Sequence, residues 1–159
     1  AKDFSRHADT AKSAQILNAI GYTLADQGET SEQFEAAESL TRRAVELANE
    51  NVRQAMQENV KLRIDEERNN RAMIRDSLAW ALFRLRRYEE ALEQQNAAVK
   101  EAREVSREPR MKAELYFHLG EILRALGREN EARRAYRDAL RDDPDYQPAK
   151  TALAAKSAM

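Results

Sequence analysis

The chain has 159 residues, of which 42% are hydrophobic, enough for a domain that buries its own core. Its 27 basic and 28 acidic residues give a net charge of -1, so there is no long-range attraction for nucleic acid or an anionic membrane. Four glycines and three prolines supply too few turns for a sheet, and the composition therefore predicts an all-α fold.

The sequence also indicates where the protein is found. No stretch reaches the roughly 18 apolar residues of a membrane span, and the N-terminal AKDFSRHADT lacks the apolar core of a signal peptide. We expect a soluble protein with no membrane insertion; the compartment is open, with the cytoplasm favoured. A start at Ala1 instead of methionine is consistent with a fragment of a larger protein.

The first predicted unit is a helical hairpin over about residues 14–50. Gly21 and Ala37 mark its two helices, and Thr30 with Gln33 has capping-box spacing at the start of the second. Val52, Met56 and Val60 then recur at spacing four in a stretch without Gly or Pro. We therefore expect the second helix to continue to about residue 68, with a break at 69–70, and to project from the repeats.

Two further hairpins follow over about residues 72–106 and 110–143. Ala79 precedes Ala91 by twelve residues, and Gly120 precedes Ala132 by the same twelve, so the small residues of the paired helices keep one register. A capping helix is predicted over about residues 147–158, at the end of a single domain spanning 1–159.

The small residues have two predicted roles. Gly21, Ala79 and Gly120 are placed where the helices of a hairpin cross closely, so that a larger side chain would push them apart. Gly28 and Gly127 lie just past the first helix of their hairpins, where a left-handed C-cap favours glycine.

The third unit carries a recognisable pattern, which consists of Leu119, Gly120, Leu123, Gly127, Ala132, Tyr136, Ala139 and Pro144. Together these residues resemble the tetratricopeptide repeat (TPR), whose period is about 34 residues of helix-turn-helix. The units are spaced by 54 and 41 residues, from Ala37 to Ala91 and from Ala91 to Ala132, so the array has insertions. The resemblance implies a right-handed superhelix of antiparallel helix pairs that acts as a protein-interaction scaffold without chemistry of its own.

Residues suited to catalysis or metal binding do not converge in this sequence. It has no glycine-rich phosphate loop, no His-Glu-x-x-His motif and no cysteine, and its histidines are His7 and His118. We expect no enzyme activity, no metal and no cofactor.

The remaining functional surface is the concave groove that the resemblance implies, lined by the first helix of each hairpin. The predicted groove residues are Asn18, Tyr22, Asp76, Ser77, Trp80, Phe83, Arg84, Glu114, Phe117, His118 and Glu121. Tyr22, Trp80, Phe83 and Phe117 are expected to hold an apolar segment of a partner, while Asp76, Arg84 and Glu121 set polarity. Trp80 and Phe83 fit the edge of the core equally well.

The sequence also bears on three other functions. Some members of the family clamp the C-terminal carboxylates of chaperones, but Glu114 would repel that charge here. A homodimer through Val52, Met56 and Val60 is the main alternative to a groove that binds protein or peptide. RNA binding is less favoured, because Asp26, Asp76, Glu114 and Glu121 would face the phosphates.

Overall fold

Helices joined by short connections make up the part of the chain that the computed structural model describes, which is the backbone of residues 2–155 and the side chains of residues 12–155. The seven helices in that range are α1 (Lys2–Gln27), α2 (Ser31–Glu58), α3 (Lys61–Arg84), α4 (Tyr88–Val105), α5 (Pro109–Ala125), α6 (Glu129–Asp142) and α7 (Gln147–Ala154). The all-α prediction is confirmed.

The helices pack as sequential antiparallel pairs, as expected of helical repeats. The hairpins are α1 with α2, α3 with α4, and α5 with α6, and α7 packs against α6. The first helices of the hairpins also touch, because α3 contacts both α1 and α5. A layer of three neighbouring first helices is thereby formed, and it is this layer that carries the predicted groove residues.

Close crossing within the hairpins explains the small residues. A Cβ atom added to Gly120 would lie 2.2 Å from Cε1 of Tyr136 on α6, and one added to Gly21 would lie 2.6 Å from Cγ2 of Thr41 on α2. Ala79 at the equivalent position of α3 is fully buried. The prediction of close helix crossing at these positions is confirmed.

Local turn signals were predicted with mixed success. The capping box is present, since the Gln33 backbone N–H donates to Thr30 Oγ1 at 3.3 Å and the Thr30 N–H donates to Gln33 Oε1 at 3.0 Å. Gly127 has φ of 74° and ends its helix in the left-handed region as predicted. The same prediction is wrong for Gly28, which is not among the positive-φ residues; there a Cβ would lie 2.3 Å from the Leu24 carbonyl oxygen.

The inserted sequence between the first two hairpins is shared by two helices. We predicted a break at residues 69–70, but α2 ends at Glu58 and Asn59 adopts φ of 56°, a left-handed conformation that asparagine tolerates. The Asn59 N–H donates to the carbonyls of Ala55 and Met56, which completes the cap. Asn69 and Asn70 lie inside α3. The inserted sequence therefore lengthens both α2 and α3 relative to their counterparts in the third hairpin.

The N-terminal half of α3 is fixed to α4 by a group of ion pairs. Glu101 of α4 is buried and accepts hydrogen bonds from Arg71 Nη2 at 2.5 Å and Arg68 Nε at 3.2 Å. Burial alone would raise the pKa of Glu101, but the Arg71 and Arg68 guanidinium groups outweigh it and hold the pKa below its usual range. The lengthened helix is therefore anchored to its hairpin partner just after its extra turns.

The C-terminal helix covers the last hairpin. Tyr146 and Ala149 are buried in the core that α5 and α6 form, and Arg133 of α6 donates to the Leu153 carbonyl at 3.2 Å. The predicted capping helix thus begins at Gln147 as expected, while residues 156–158 of the prediction lie outside the described residues. None of the helices in the described part of the chain is long and apolar enough to cross a membrane.

Candidate functional site

The predicted groove residues divide into two groups by their burial. Eight of them are partly exposed on α1, α3 and α5: Asn18, Tyr22, Trp80, Phe83, Arg84, Glu114, Phe117 and Glu121. Asp76, Ser77 and His118 are buried instead, which corrects the expectation that they face a partner openly. The reason is that α3 packs between α1 and α5. Asp76 and Ser77 of α3 are covered by these neighbouring helices, and His118 of α5 is covered where α5 packs on α3.

Two of the buried residues, Asp76 and His118, belong to a polar network beneath the layer of first helices. His118 Nδ1 lies 2.9 Å and 3.0 Å from the two carboxylate oxygens of Asp76, joining α5 to α3. Gln95 Nε2 donates to Asp76 Oδ1 at 2.6 Å and to the Leu115 carbonyl at 2.8 Å. Burial disfavours protonation of the imidazole, but the Asp76 carboxylate outweighs burial and the pKa of His118 is raised.

Aromatic rings stack on this network. The Trp80 indole lies 4.3 Å from the His118 ring with an interplanar angle of 19°, and 4.8 Å from the Phe83 ring with an angle of 10°. Phe117 also contacts His118, with ring centroids 5.9 Å apart and an interplanar angle of 50°. Trp80 and Phe83 also pack against core clusters, so each has one side in the core and part of its surface exposed. The indole Nε1 of Trp80 is buried without a hydrogen-bond partner among the described residues.

Arg84 has a structural partner that the sequence did not reveal. Its guanidinium donates to the carbonyls of Ala25 at 2.6 Å, Asp26 at 3.0 Å and Gly28 at 2.9 Å, around the C-terminal end of α1. The cation also lies 4.3 Å from the centroid of the Phe34 ring. A cation at a helix C-terminus satisfies carbonyls that have no partner within the helix. Arg84 therefore joins the first two hairpins through hydrogen bonds from Nη1 and Nη2.

A cleft opens where α1, α3 and α5 meet, and we call it the α1/α3/α5 cleft. It has a volume of about 200 Å³, and its lining includes Asn18, Tyr22, Met73, Asp76, Ser77 and Glu114. The Tyr22 hydroxyl donates to Glu114 Oε1 at 3.0 Å, which joins α1 to α5 across α3. Burial and the nearby Glu114 carboxylate both raise the pKa of Tyr22. The two side chains thus bridge helices that are not neighbours in the layer.

A second and larger opening lies between α5 and α7. This α5/α7 cleft has a volume of about 530 Å³ and is lined by Phe117 and Glu121 of α5 and by Pro148 and Ala152 of α7, among others. Glu121 accepts hydrogen bonds from the Tyr136 hydroxyl at 2.7 Å and from Arg124 at 2.5 Å. The sequence predicted the last helix only as a cap and did not reveal that it also forms one wall of the α5/α7 cleft.

Comparison with known proteins identifies the repeats. Residues 70–145 match the family model described as tetratricopeptide repeat, and this stretch covers most of α3 and all of α4, α5 and α6. The second and third hairpins are therefore similar to TPR sequence, and the predicted resemblance is confirmed over residues 70–145. A comparison with curated proteins finds no match. TPR domains are typically protein-interaction modules and are usually noncatalytic.

Proposed function

We propose that this chain is a noncatalytic interaction module that binds a segment of another protein along the face formed by α1, α3 and α5. The observation that carries the proposal is the Tyr22–Glu114 hydrogen bond, which joins the outer two of these helices across the middle one. Repeat arrays bind extended segments on their concave surfaces, and we propose the same for this face.

Aromatic side chains provide the anchors for such a segment. Tyr22, Trp80, Phe83 and Phe117 are each partly exposed on this face and come from all three first helices. Partly buried aromatic residues lose little conformational entropy on binding because neighbouring contacts already hold them, and Trp and Tyr are enriched among binding hot spots. The α1/α3/α5 and α5/α7 clefts beside them offer space for side chains of the bound segment.

Peptide selection tests this proposal without a known partner. The full chain is immobilised, a random peptide library is passed over it, and the affinities of the selected peptides are measured through the fluorescence of Trp80, the chain's one tryptophan. We expect Tyr22→Ala and Phe117→Ala to weaken binding about tenfold or more, the effect of removing a hot-spot side chain. Glu93→Ala, an exposed position on α4, is the matched control and should leave affinity unchanged.

Circular dichroism and thermal unfolding establish that each variant is folded. If folded Tyr22→Ala and Phe117→Ala variants bind the selected peptides as tightly as the unchanged chain, the proposed binding face is wrong.

Self-association is a second candidate because the tip of the α2–α3 hairpin exposes apolar side chains. Leu62 is 79% exposed, Met56 is 55% exposed and Val60 is 51% exposed. The predicted dimer surface of Val52, Met56 and Val60 is only partly exposed, because Val52 is buried and Val60 lies beyond the end of α2. Light scattering over a range of concentrations decides this candidate. A mass that stays at 18.2 kDa contradicts it, and a doubled mass that Leu62→Glu abolishes supports it.

A further inference from the structure

The α1/α3/α5 cleft differs from the rest of the surface in its charge. Glu114 and Asp76 contribute carboxylates to its lining, and no lysine or arginine is among the described residues that form it. Asp26 lies one helical turn beyond Tyr22 on α1 and adds a third carboxylate, since it too raises the pKa of Tyr22. His118 contacts Asp76 from below, with Nδ1 2.9 Å from Oδ1, while Glu114 has no such partner in the described part of the chain.

The Glu114 carboxylate is only partly satisfied. Its Oε1 accepts the Tyr22 hydroxyl at 3.0 Å, and no ion pair joins it to a lysine or arginine of the described chain. A carboxylate has about four acceptor sites on its two oxygens, so most of its capacity is open to a ligand. Asn18, which also lines the cleft, has a buried Oδ1 without a hydrogen-bond partner among the described residues.

The rest of the lining is apolar and adaptable. Met73 is 37% exposed at the cleft, and Met111 and the Tyr22 ring complete its apolar walls. Methionine has an unbranched and polarisable side chain that fits different ligand shapes, and a long aliphatic stem packs well against such a wall. The volume of about 200 Å³ is below the ~300–1,000 Å³ of small-molecule pockets. The cleft therefore suits a single side chain better than a cofactor.

We infer that the α1/α3/α5 cleft binds a lysine side chain of the partner segment, with its stem against Met73 and Tyr22 and its ammonium group at Glu114. This inference rests on the proposed function and adds the chemistry of the partner to it. Lysine is preferred to arginine because Tyr22 already occupies one oxygen of Glu114. A compact ammonium group can use the second oxygen alone, whereas the arginine fork is best matched by both.

Synthetic peptides test this inference directly. Among peptides selected on the immobilised full chain, we expect a lysine in common. Replacing that lysine by norleucine keeps the stem and removes the charge, and affinity should fall about tenfold or more, as for loss of a charge-assisted hydrogen bond. Replacement by arginine should weaken binding less than norleucine does, and glutamate should abolish binding. The lysine and arginine peptides should lose affinity as the salt concentration rises, whereas the affinity of the norleucine peptide should not change.

A protein variant gives the reciprocal measurement. Glu114→Gln keeps an acceptor for the Tyr22 hydroxyl and removes the charge, so the lysine peptide should bind about tenfold more weakly while the norleucine peptide is unaffected. Glu93→Gln on the exposed face of α4 is the matched control. If Glu114→Gln proves unstable, the peptide substitutions on the unchanged chain still decide the question.

The inference is overturned if the norleucine peptide binds as tightly as the lysine peptide, or if the arginine peptide binds more tightly. Failure of the proposed function has a different signature. In that case the selected peptides bind folded Tyr22→Ala and Phe117→Ala variants without loss, whatever residue they carry at the lysine position.

Discussion

Asp76 and His118 form a buried pair that joins α3 to α5, with Nδ1 of the imidazole 2.9 Å from one carboxylate oxygen and 3.0 Å from the other. Gln95 of α4 donates to the same carboxylate at 2.6 Å, so Asp76 connects three helices. The Trp80 ring lies on the imidazole, which places this network directly beneath the proposed binding face.

Removal of the buried carboxylate should be strongly destabilising. Asp76→Ala leaves the imidazole of His118 and one contact of the Gln95 amide without their acceptor, and breaking a buried charged pair costs about 3–5 kcal/mol in the free energy of unfolding. Urea denaturation monitored by circular dichroism measures the loss. Asp145→Ala is the control, since that carboxylate is exposed and its ion pair with Lys150 lies in solvent, so little change is expected. Equal stability of the two variants would contradict the role assigned to Asp76.

The same pair predicts how stability depends on pH. Burial opposes protonation of His118. The Asp76 carboxylate outweighs burial, with smaller contributions from Glu114 of α5 and Asp26 of α1, and the pKa of His118 is raised above its usual 6.5. Because the folded pKa exceeds the unfolded one, the stabilisation is complete below about pH 6.5 and is lost as pH rises through the folded pKa.

Unfolding free energies of the unchanged chain and of His118→Gln, measured from pH 5.5 to pH 9, test this expectation. The difference between the two proteins should be largest at the acidic end and should shrink as pH rises. A difference that grows with pH would mean that the buried imidazole is neutral in the folded protein.

Close helix crossing predicts different consequences for two glycines. Gly120→Ala should destabilise the protein by about 1–3 kcal/mol, because its Cβ would press into the ring of Tyr136. Gly127→Ala meets no atom within 4 Å, and its cost of roughly 1 kcal/mol comes from the left-handed backbone alone.

Combining each change with Tyr136→Leu separates these two causes. The smaller side chain should relieve Gly120→Ala and leave the effect of Gly127→Ala additive. Additive effects in both combinations would show that the Gly120–Tyr136 approach is not what requires glycine in α5.

Arg84 should contribute to stability through the end of α1. Arg84→Ala removes its hydrogen bonds to the carbonyls of Ala25, Asp26 and Gly28, and we expect a loss of about 2–3 kcal/mol in the free energy of unfolding. Hydrogen exchange of the amides in the last turn of α1 should accelerate in the same variant. Arg53→Ala, which breaks an exposed pair with Glu50, is the matched control. Unchanged exchange in α1 would contradict the capping role.

Local patterns made much of the fold predictable. Twelve residues separate Ala79 from Ala91 and Gly120 from Ala132, and this register identified two hairpins because side-chain size at a helix crossing is a local requirement. The capping box of Thr30 and Gln33 was predictable because it too is a local feature. The helix break was misplaced because Asn59 and Asn69 carry the same local signal, and ion pairs with Glu101 on α4 hold the second region helical.

The site was less predictable because its contacts join residues far apart in sequence. Tyr22 and Glu114 are 92 residues apart, and Arg84 and Ala25 are 59 apart, so no periodicity indicates either pair. Helical spacing placed Asp76 and His118 on the correct helices but could not show that neighbouring helices cover them.

Chemical-shift mapping decides whether the face formed by α1, α3 and α5 binds the partner segment. The full chain, labelled with ¹⁵N, is titrated with a peptide selected on it, and the backbone amide and indole signals are followed. We expect the largest shifts at Tyr22, Glu114 and the Trp80 indole, while the signals of the exposed face of α4 around Glu93 and Lys100 stay unchanged. Shifts confined to α2, α4 and α6, or to the tip that carries Leu62, with Tyr22 and Glu114 unmoved, would contradict it.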